Sequence, residues 1–158
     1  MYFLLHASCV VYKGKTLILA GKSGYGKTTI AYKLLKSGAK FVADDPVIFS
    51  LKTAEILPSP STIRLRLYSC GVNHFVYRRI SPSRFGRPTH EYSFCFLNSP
   101  FNFNNSLHSE LKHKKQITRS DGIFYLLKNC ANIDEIVKCN LKPFLKKLCS
   151  KSSFFLYE

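Results

Sequence analysis

The chain has 158 residues, enough for one domain with a substantial core, and 46% of them are hydrophobic. Lysine and arginine number 24 against 9 acidic residues, so the formal net charge of +15 favours anionic partners such as nucleotide phosphates, acidic peptides or RNA. The sequence has no run of about 18 apolar residues, so no membrane-spanning helix is predicted. Its six cysteines lack the spacing of a zinc site, which predicts reduced thiols in a cytoplasmic protein.

The chain begins with two apolar segments that predict strands. Residues 2–11 are mostly apolar and favour a first strand over a signal peptide, because they lack a basic start and are soon followed by the charge of Lys13. After the turn YKGK, residues 16–20 form a short apolar run that is typical of a buried strand.

A helix and a further strand follow. The apolar residues of the helix have helical spacing: Ile30, Ala31, Leu34 and Leu35. Gly38 indicates the helix end, and residues 40–51 predict a strand interrupted by Asp44, Asp45 and Pro46. This order of elements predicts an α/β fold, a mixed sheet with flanking helices, in a single domain over residues 1–158.

The second half of the sequence carries weaker signals. Pro58 and Pro60 mark a loop, residues 61–69 alternate like a strand with a basic face, and residues 91–99 favour another strand. We expect residues 51–158 to supply a substrate or lid part and a C-terminal helical part.

The C-terminal part has clearer boundaries. Thr118 and Asp121 form a capping signal before a helical pattern. Residues 132–149 favour two short helices, with Pro143 in the first turn of the second, and residues 154–158 favour a closing strand.

Residues 21–28, GKSGYGKT, match the phosphate-binding pattern G-x-x-x-x-G-K-[ST] without a mismatch. Glycines let backbone N–H groups turn toward an anion, the following helix directs its positive end at it, and Lys27 and Thr28 would serve the β- and γ-phosphates and Mg²⁺. The predicted nucleotide-binding residues are Gly21, Ser23, Gly24, Tyr25, Gly26, Lys27, Thr28 and Thr29. ATP and Mg²⁺ are therefore the expected cofactors, although ATPases, GTPases, switches and kinases all use such a loop.

Asp44 and Asp45 follow an apolar run, where a strand end would open onto the ligand. Adjacent strand residues point to opposite sides, so one carboxylate can reach magnesium while the other takes a proton from an acceptor hydroxyl. Asp-Asp-Pro is also good turn chemistry, and a lone histidine such as His6 is more often a core or edge residue than a catalyst.

These features together resemble the nucleotide-binding core of the HPr kinase/phosphorylase family. The resemblance covers about residues 4–50 and consists of the histidine strand, the glycine loop and the "ADD" strand end in the family's order. It implies that Lys27 and His6 are catalytic, with His6 beside the base. It further implies that Asp44 is the proton acceptor from the substrate serine, and that Asp45 lies near magnesium with Thr28.

The sequence departs from the bifunctional members of that family. Their glutamate signature is not found, and residues 62–66 only loosely resemble their "IRG" loop, with Arg64 as the counterpart that would contact substrate or phosphate. The layout is closer to compact HPr-kinase-related serine kinases, including those of lasso-peptide and other ribosomal-peptide clusters. These imply a serine-containing peptide or protein substrate and a homo-oligomer.

Three possibilities therefore stay open, of which the third is a degenerate scaffold that no longer binds nucleotide. The first is an ATP- and Mg²⁺-dependent kinase acting on a serine hydroxyl. The second is a basic nucleotide-binding module that holds RNA or hydrolyses nucleotide without a kinase substrate, which the charge and the aromatic residues between positions 75 and 103 would serve. The same basic residues are also typical of a solvated surface.

Overall fold

A computed structural model describes residues 1–57, 62–69, 72–103, 106–107 and 111–158. Its strands are β1 (Tyr2–Leu5), β2 (Ala7–Tyr12), β3 (Lys15–Gly21), β4 (Lys40–Asp44), β5 (Val47–Ser50), β6 (Thr62–Ser69), β7 (Val72–Arg79), β8 (Tyr92–Leu97), β9 (Lys115–Gln116) and β10 (Ser152–Tyr157). Its helices are α1 (Lys27–Lys36), α2 (Arg119–Lys128), α3 (Ile133–Ile136) and α4 (Lys142–Ser150), with a short 3₁₀ turn at Pro82–Arg84. The predicted mixed α/β architecture is confirmed, whereas the loop predicted at residues 58–60 lies outside the described residues.

The central sheet has six strands in the order β4-β2-β3-β8-β10-β9. Strand β2 runs antiparallel to both of its neighbours, and β3, β8 and β10 run parallel. Strands β4 and β3 are both antiparallel to β2. Their carboxyl ends therefore lie at the same end of the sheet, on either side of the start of β2. In this register Ser8 lies opposite Asp44, and Ala7 lies opposite Ala20.

Each face of this sheet has its own apolar core, because successive side chains alternate between the faces. One face carries the stacked rings of Phe94, Phe96 and Phe154, whose centroids are 5.5–6.2 Å apart. The β1–β5 pair and buried residues of α2, α3 and α4 cover it. The other face carries buried residues such as Leu19 and Cys95 and is covered by α1 and strand β6.

The single strand predicted over residues 2–11 is wrong in one respect, since the chain breaks at His6 into β1 and β2. Strand β2 joins the central sheet, whereas β1 leaves it and pairs antiparallel with β5. The strand predicted over residues 40–51 divides in the same way at Asp45 and Pro46. Apolar side chains of β1 and β5 are fully buried over the aromatic face, which gives a physical reason for the separate ribbon.

The C-terminal helices begin as the sequence indicates. Thr118 caps α2 by accepting a hydrogen bond of 3.1 Å from the backbone N–H of Asp121, and Pro143 lies in the first turn of α4. In that first turn of α2, Gly122 lies against the ring of Phe154 so closely that a Cβ atom would overlap it. Helix α2 is therefore seated directly on β10. None of the helices in the described ranges is long and apolar enough to cross a membrane.

Candidate active site

The glycine loop connects the end of β3 to the start of α1. Gly24 and Gly26 have φ angles of +86° and +98°, which are costly for any residue with a side chain. A Cβ atom at Gly26 would also lie 2.8 Å from the ring of Phe103. No described side chain caps α1, and its first turn has no acidic residue. Its N-terminal amides are therefore available to an anion.

Lys27 occupies the inner end of this loop and is only 5% exposed. Its ammonium group donates to the carbonyl of Lys22 at 3.2 Å and lies 3.7 Å from Oδ2 of Asp45. Burial lowers the pKa of Lys27, and the carboxylates of Asp45 and Asp44 offset part of that effect. A phosphate in the loop would supply the negative charge that this buried ammonium needs.

Asp44 forms a partly buried oxygen cluster with Thr28 and Ser8. The hydroxyl of Thr28 donates to Oδ1 of Asp44 at 3.0 Å, and the hydroxyl of Ser8 donates to the same oxygen. Burial raises the pKa of Asp44, and these two hydrogen bonds oppose that rise. Mg²⁺ takes oxygen ligands at about 2.1 Å in an octahedron, which sets neighbouring ligands about 3 Å apart. The Thr28–Asp44 spacing fits such a site.

Asp45 faces the other way along the cleft. Its Oδ1 accepts a hydrogen bond of 3.0 Å from Nδ1 of His6, and the two side chains are 35% and 54% exposed. A carboxylate only accepts hydrogen bonds, so Nδ1 of His6 carries the proton in this pair. Asp45 thus lies between His6 and Lys27, whereas Thr28 contacts Asp44. These contacts are the reverse of those that the family resemblance implies for the two carboxylates.

Apart from the fully buried Ser8, these side chains line one cleft of about 930 Å³. We call its first side the loop wall, which is formed by residues 21–29, all of which except Tyr25 line the cleft. The second side, the composite wall, comprises His6, Asp45, Lys128, Asn129 and Ala131. The carbonyl of Asn129 accepts from the backbone N–H of His6 at 2.9 Å, which fixes the end of α2 beside the His6–Asp45 pair.

Sequence reasoning identified most of the loop wall but only part of the rest. Tyr25 was predicted to bind nucleotide, yet it does not line the cleft; its ring packs on the α1 face of the sheet, and its carbonyl accepts from Phe101 at 3.0 Å. Arg64 lies in β6, and its side chain is outside the described part of the structure. The residues that sequence reasoning missed are Ser8, Phe75, Phe103, Lys128, Asn129 and Ala131.

Of these missed residues, only Ser8 had a usable signal in the sequence. It lies two positions after His6 on the same predicted strand, where side chains of the same face recur. The other five come from segments that no motif connects to the loop.

Comparison with known proteins gives a distant likeness to solved structures. No protein-family model matches the sequence, and no curated protein matches it. Among solved structures, the chain is similar to the HPr(Ser) kinase/phosphatase from Coxiella burnetii, with a TM-score of 0.37 and 14% sequence identity. The likeness covers 65% of this chain, which spans only 64% of the length of that one. At this level it adds no weight to any function, which has to come from the geometry of the cleft.

Proposed function

We propose that the protein is a kinase that transfers the γ-phosphate of ATP, with Mg²⁺, to a serine hydroxyl of a peptide or protein. The observation that supports this most is the convergence of Lys27, the Thr28–Asp44 pair and the His6–Asp45 pair in one cleft. A precursor of a ribosomally made peptide is one substrate that the sequence resemblance implies.

The loop wall serves the nucleotide. Backbone amides of residues 21–28 and the start of α1 hold the β- and γ-phosphates, and Lys27 neutralises the charge that grows on them. Thr28 and Asp44 hold Mg²⁺, which supplies positive charge to the same phosphates when bound. Asp44 rather than Asp45 is assigned as the metal ligand, because the hydroxyl of Thr28 lies 3.0 Å from the carboxylate of Asp44.

The His6–Asp45 pair serves the acceptor. The serine oxygen attacks the γ-phosphorus, the bond from that phosphorus to the bridging oxygen breaks, and ADP leaves with its electron pair. The His6–Asp45 pair takes the proton of the serine hydroxyl as the new bond forms. Lys27 at 3.7 Å from Asp45 keeps this carboxylate next to the transferred group.

The exchange of roles between the two aspartates can be tested directly. Radiolabelled ATP with Mg²⁺ and a library of serine peptides provides the assay, and nucleotide binding is measured in parallel. We expect Asp45→Asn and His6→Gln to reduce transfer by about 100-fold or more while Mg²⁺-dependent ATP binding stays within about twofold of wild type. We expect Asp44→Asn to raise the Mg²⁺ concentration needed for half-maximal binding.

The opposite pattern, with weakened Mg²⁺ dependence in Asp45→Asn and normal dependence in Asp44→Asn, would restore the assignment implied by the family resemblance. Lys146→Gln, an exposed substitution in α4 outside the cleft lining, is the control for both. ATP binding without transfer to any peptide would contradict the kinase itself.

One observation favours a second candidate, a nucleotide hydrolase that binds RNA. Phe75 and Tyr77 are 49% and 67% exposed, and the exposed basic residues Arg78 and Arg79 follow them directly at the end of β7. Such aromatic and basic surfaces stack bases and bind phosphates. RNA affinity that falls steeply with salt, together with ATP hydrolysis and no phosphotransfer, would favour this function.

A further inference from the structure

Lys128 is the last residue of α2 and the one lysine of the composite wall. Its exposed side chain lies over two rings of the same helix, with Nζ 5.5 Å from the centroid of Tyr125 and 5.9 Å from that of Phe124. The negative face of an aromatic ring attracts an ammonium group, so these two rings help to hold the Lys128 side chain in place. The cleft therefore has a cation on its second side that the phosphate loop does not include.

The position of Lys128 is fixed relative to the His6–Asp45 pair. The next residue, Asn129, accepts from the backbone N–H of His6 at 2.9 Å, and its side-chain amide donates to the carbonyl of Tyr125 at 2.8 Å. Ala131 donates to the carbonyl of Leu4 at 2.7 Å. These two backbone hydrogen bonds, one to His6 and one to Leu4, thus hold the end of α2 against the β1–β2 junction.

The charges of the cleft leave Lys128 available to a ligand. The ion pairs found among the described residues are His6–Asp45 and Lys27–Asp45, and neither involves Lys128. In the proposed reaction, Lys27, the loop amides and Mg²⁺ already neutralise the nucleotide phosphates. A second anion, carried by the acceptor, would meet Lys128 beside the pair that receives the serine proton.

We propose that Lys128 recognises a carboxylate of the acceptor, so that the substrate is a peptide or protein segment with an acidic residue or a terminal carboxylate close to its serine. This inference rests on the proposed kinase function and names its substrate class. The exposed ring of Phe124 lies alongside the same cation and offers an apolar contact to the rest of that segment. The excess of 24 basic over 9 acidic residues makes the surrounding surface attractive to such a segment.

The test uses the full chain with Mg²⁺, ATP and a positional-scanning peptide library that has one fixed serine. A second set of peptides ends at the serine with either a free carboxylate or an amide. We expect wild type to favour Asp or Glu at one position, or the free carboxylate, by about tenfold. Lys128→Gln should lose this preference, Lys128→Glu should shift it toward Lys or Arg, and Lys128→Arg should retain it.

Matched controls and the remaining outcomes decide between the claims. The KM for ATP should stay within about twofold in all three variants, and Lys146→Gln should keep the wild-type preference. Transfer to serine peptides with no acidic preference, or a preference that survives Lys128→Gln, overturns this inference and leaves the kinase standing. A raised KM for ATP in Lys128→Gln assigns the lysine to the nucleotide and also overturns it. Nucleotide binding without transfer to any peptide overturns both proposals.

Discussion

The two walls of the cleft are built in opposite ways. The loop wall is one continuous segment, residues 21–29, whose shape follows from glycine φ angles and the start of a helix. The composite wall takes His6 from the β1–β2 junction, Asp45 from the end of β4, and Lys128 with its neighbours from the end of α2. Local sequence is therefore enough to form the first wall, whereas the second requires the complete sheet and the C-terminal helices.

This difference separates two kinds of damage. In the proposed function, a substitution in the loop wall should weaken nucleotide binding, because groups that would hold the phosphates are lost. In the proposed function, a substitution that loosens the composite wall should leave the nucleotide bound and impair transfer, because the His6–Asp45 pair that would accept the proton moves. The first predictions below test this separation, and the last two test the buried charge of Lys27; they are ordered from the largest expected effect to the smallest.

Lys27→Met should reduce phosphotransfer by about 100-fold or more and weaken ATP binding, because the buried ammonium at the base of the loop is lost. Rates with radiolabelled ATP and isothermal titration of nucleotide measure the two effects. Lys36→Met, on the same helix but exposed, is the matched control and should change neither. Normal ATP affinity in Lys27→Met would contradict the role of the loop wall.

Asn132→Ala should affect the composite wall selectively. The side chain of Asn132 accepts from the backbone of Leu4 at 3.0 Å and donates to the carbonyl of Tyr2 at 2.9 Å, so it ties β1 to the segment after α2. We expect transfer to fall about tenfold while ATP affinity stays within about twofold. Asn140→Ala, which removes an exposed local hydrogen bond to Lys142, should leave both unchanged. Loss of ATP affinity in Asn132→Ala would show that the walls are not separable in this way.

Ser8→Ala should act between the walls, on the metal. The fully buried hydroxyl of Ser8 donates to Asp44, and without it that carboxylate loses a fixed partner. We expect a several-fold rise in the Mg²⁺ concentration for half-maximal transfer and a stability loss of about 1–3 kcal/mol. Thr16→Val removes another fully buried hydroxyl, bonded to Thr89, and should cost stability without changing the Mg²⁺ dependence. Equal Mg²⁺ dependence in both variants would remove Ser8 from the site.

The smallest expected effect is a proton taken up on nucleotide binding. Burial lowers the pKa of Lys27 below its ordinary 10.5, so at alkaline pH the free protein holds this proton less firmly, and the negative charge of a bound phosphate would raise the pKa again. Titration calorimetry in two buffers of different ionisation enthalpy should report uptake of a fraction of a proton, and Lys27→Met should abolish it.

The same shift has a consequence for stability. Because the folded pKa lies below the unfolded one, the unfolded chain binds more protons between the two values, and the free energy of unfolding of the free protein should rise with pH there. Denaturant titrations across this window measure the slope. A fall in the free energy of unfolding with pH, absent in Lys27→Met, would contradict the direction of the shift.

What could be predicted from the sequence follows the same division. The strand before the loop, helix α1 and the capped start of α2 depend on neighbouring residues, and all three were predicted. The ribbon of β1 and β5 was not, because its pairing joins residues more than 40 positions apart, such as Tyr2 and Ser50. Lys128 and Asn129 were missed for the same reason, since only the fold brings the end of α2 to His6.

The two aspartates represent an intermediate case. Their alternation predicted that one would serve metal and the other the acceptor, but the choice depends on which of them the helix residue Thr28 can reach. The hydrogen bond of 3.0 Å from Thr28 selects Asp44 as the neighbour of Thr28, whereas Asp45 lies beside Lys27. No pattern in the sequence encodes that choice, because it is set by the stagger between β4 and the start of α1.

The contact between Gly122 and Phe154 makes the position of helix α2 sensitive to the side chain at residue 122. Helix α2 is a rod of ten residues, about 15 Å long, seated at its first turn on an aromatic ring. A methyl group at Gly122 would overlap the ring of Phe154 and push that end of the helix away from β10. Because the helix moves as a unit, this tilt would also displace Lys128 at its other end. The rate of the proposed phosphotransfer should thus be sensitive to substitution of Gly122, although Gly122 does not line the cleft.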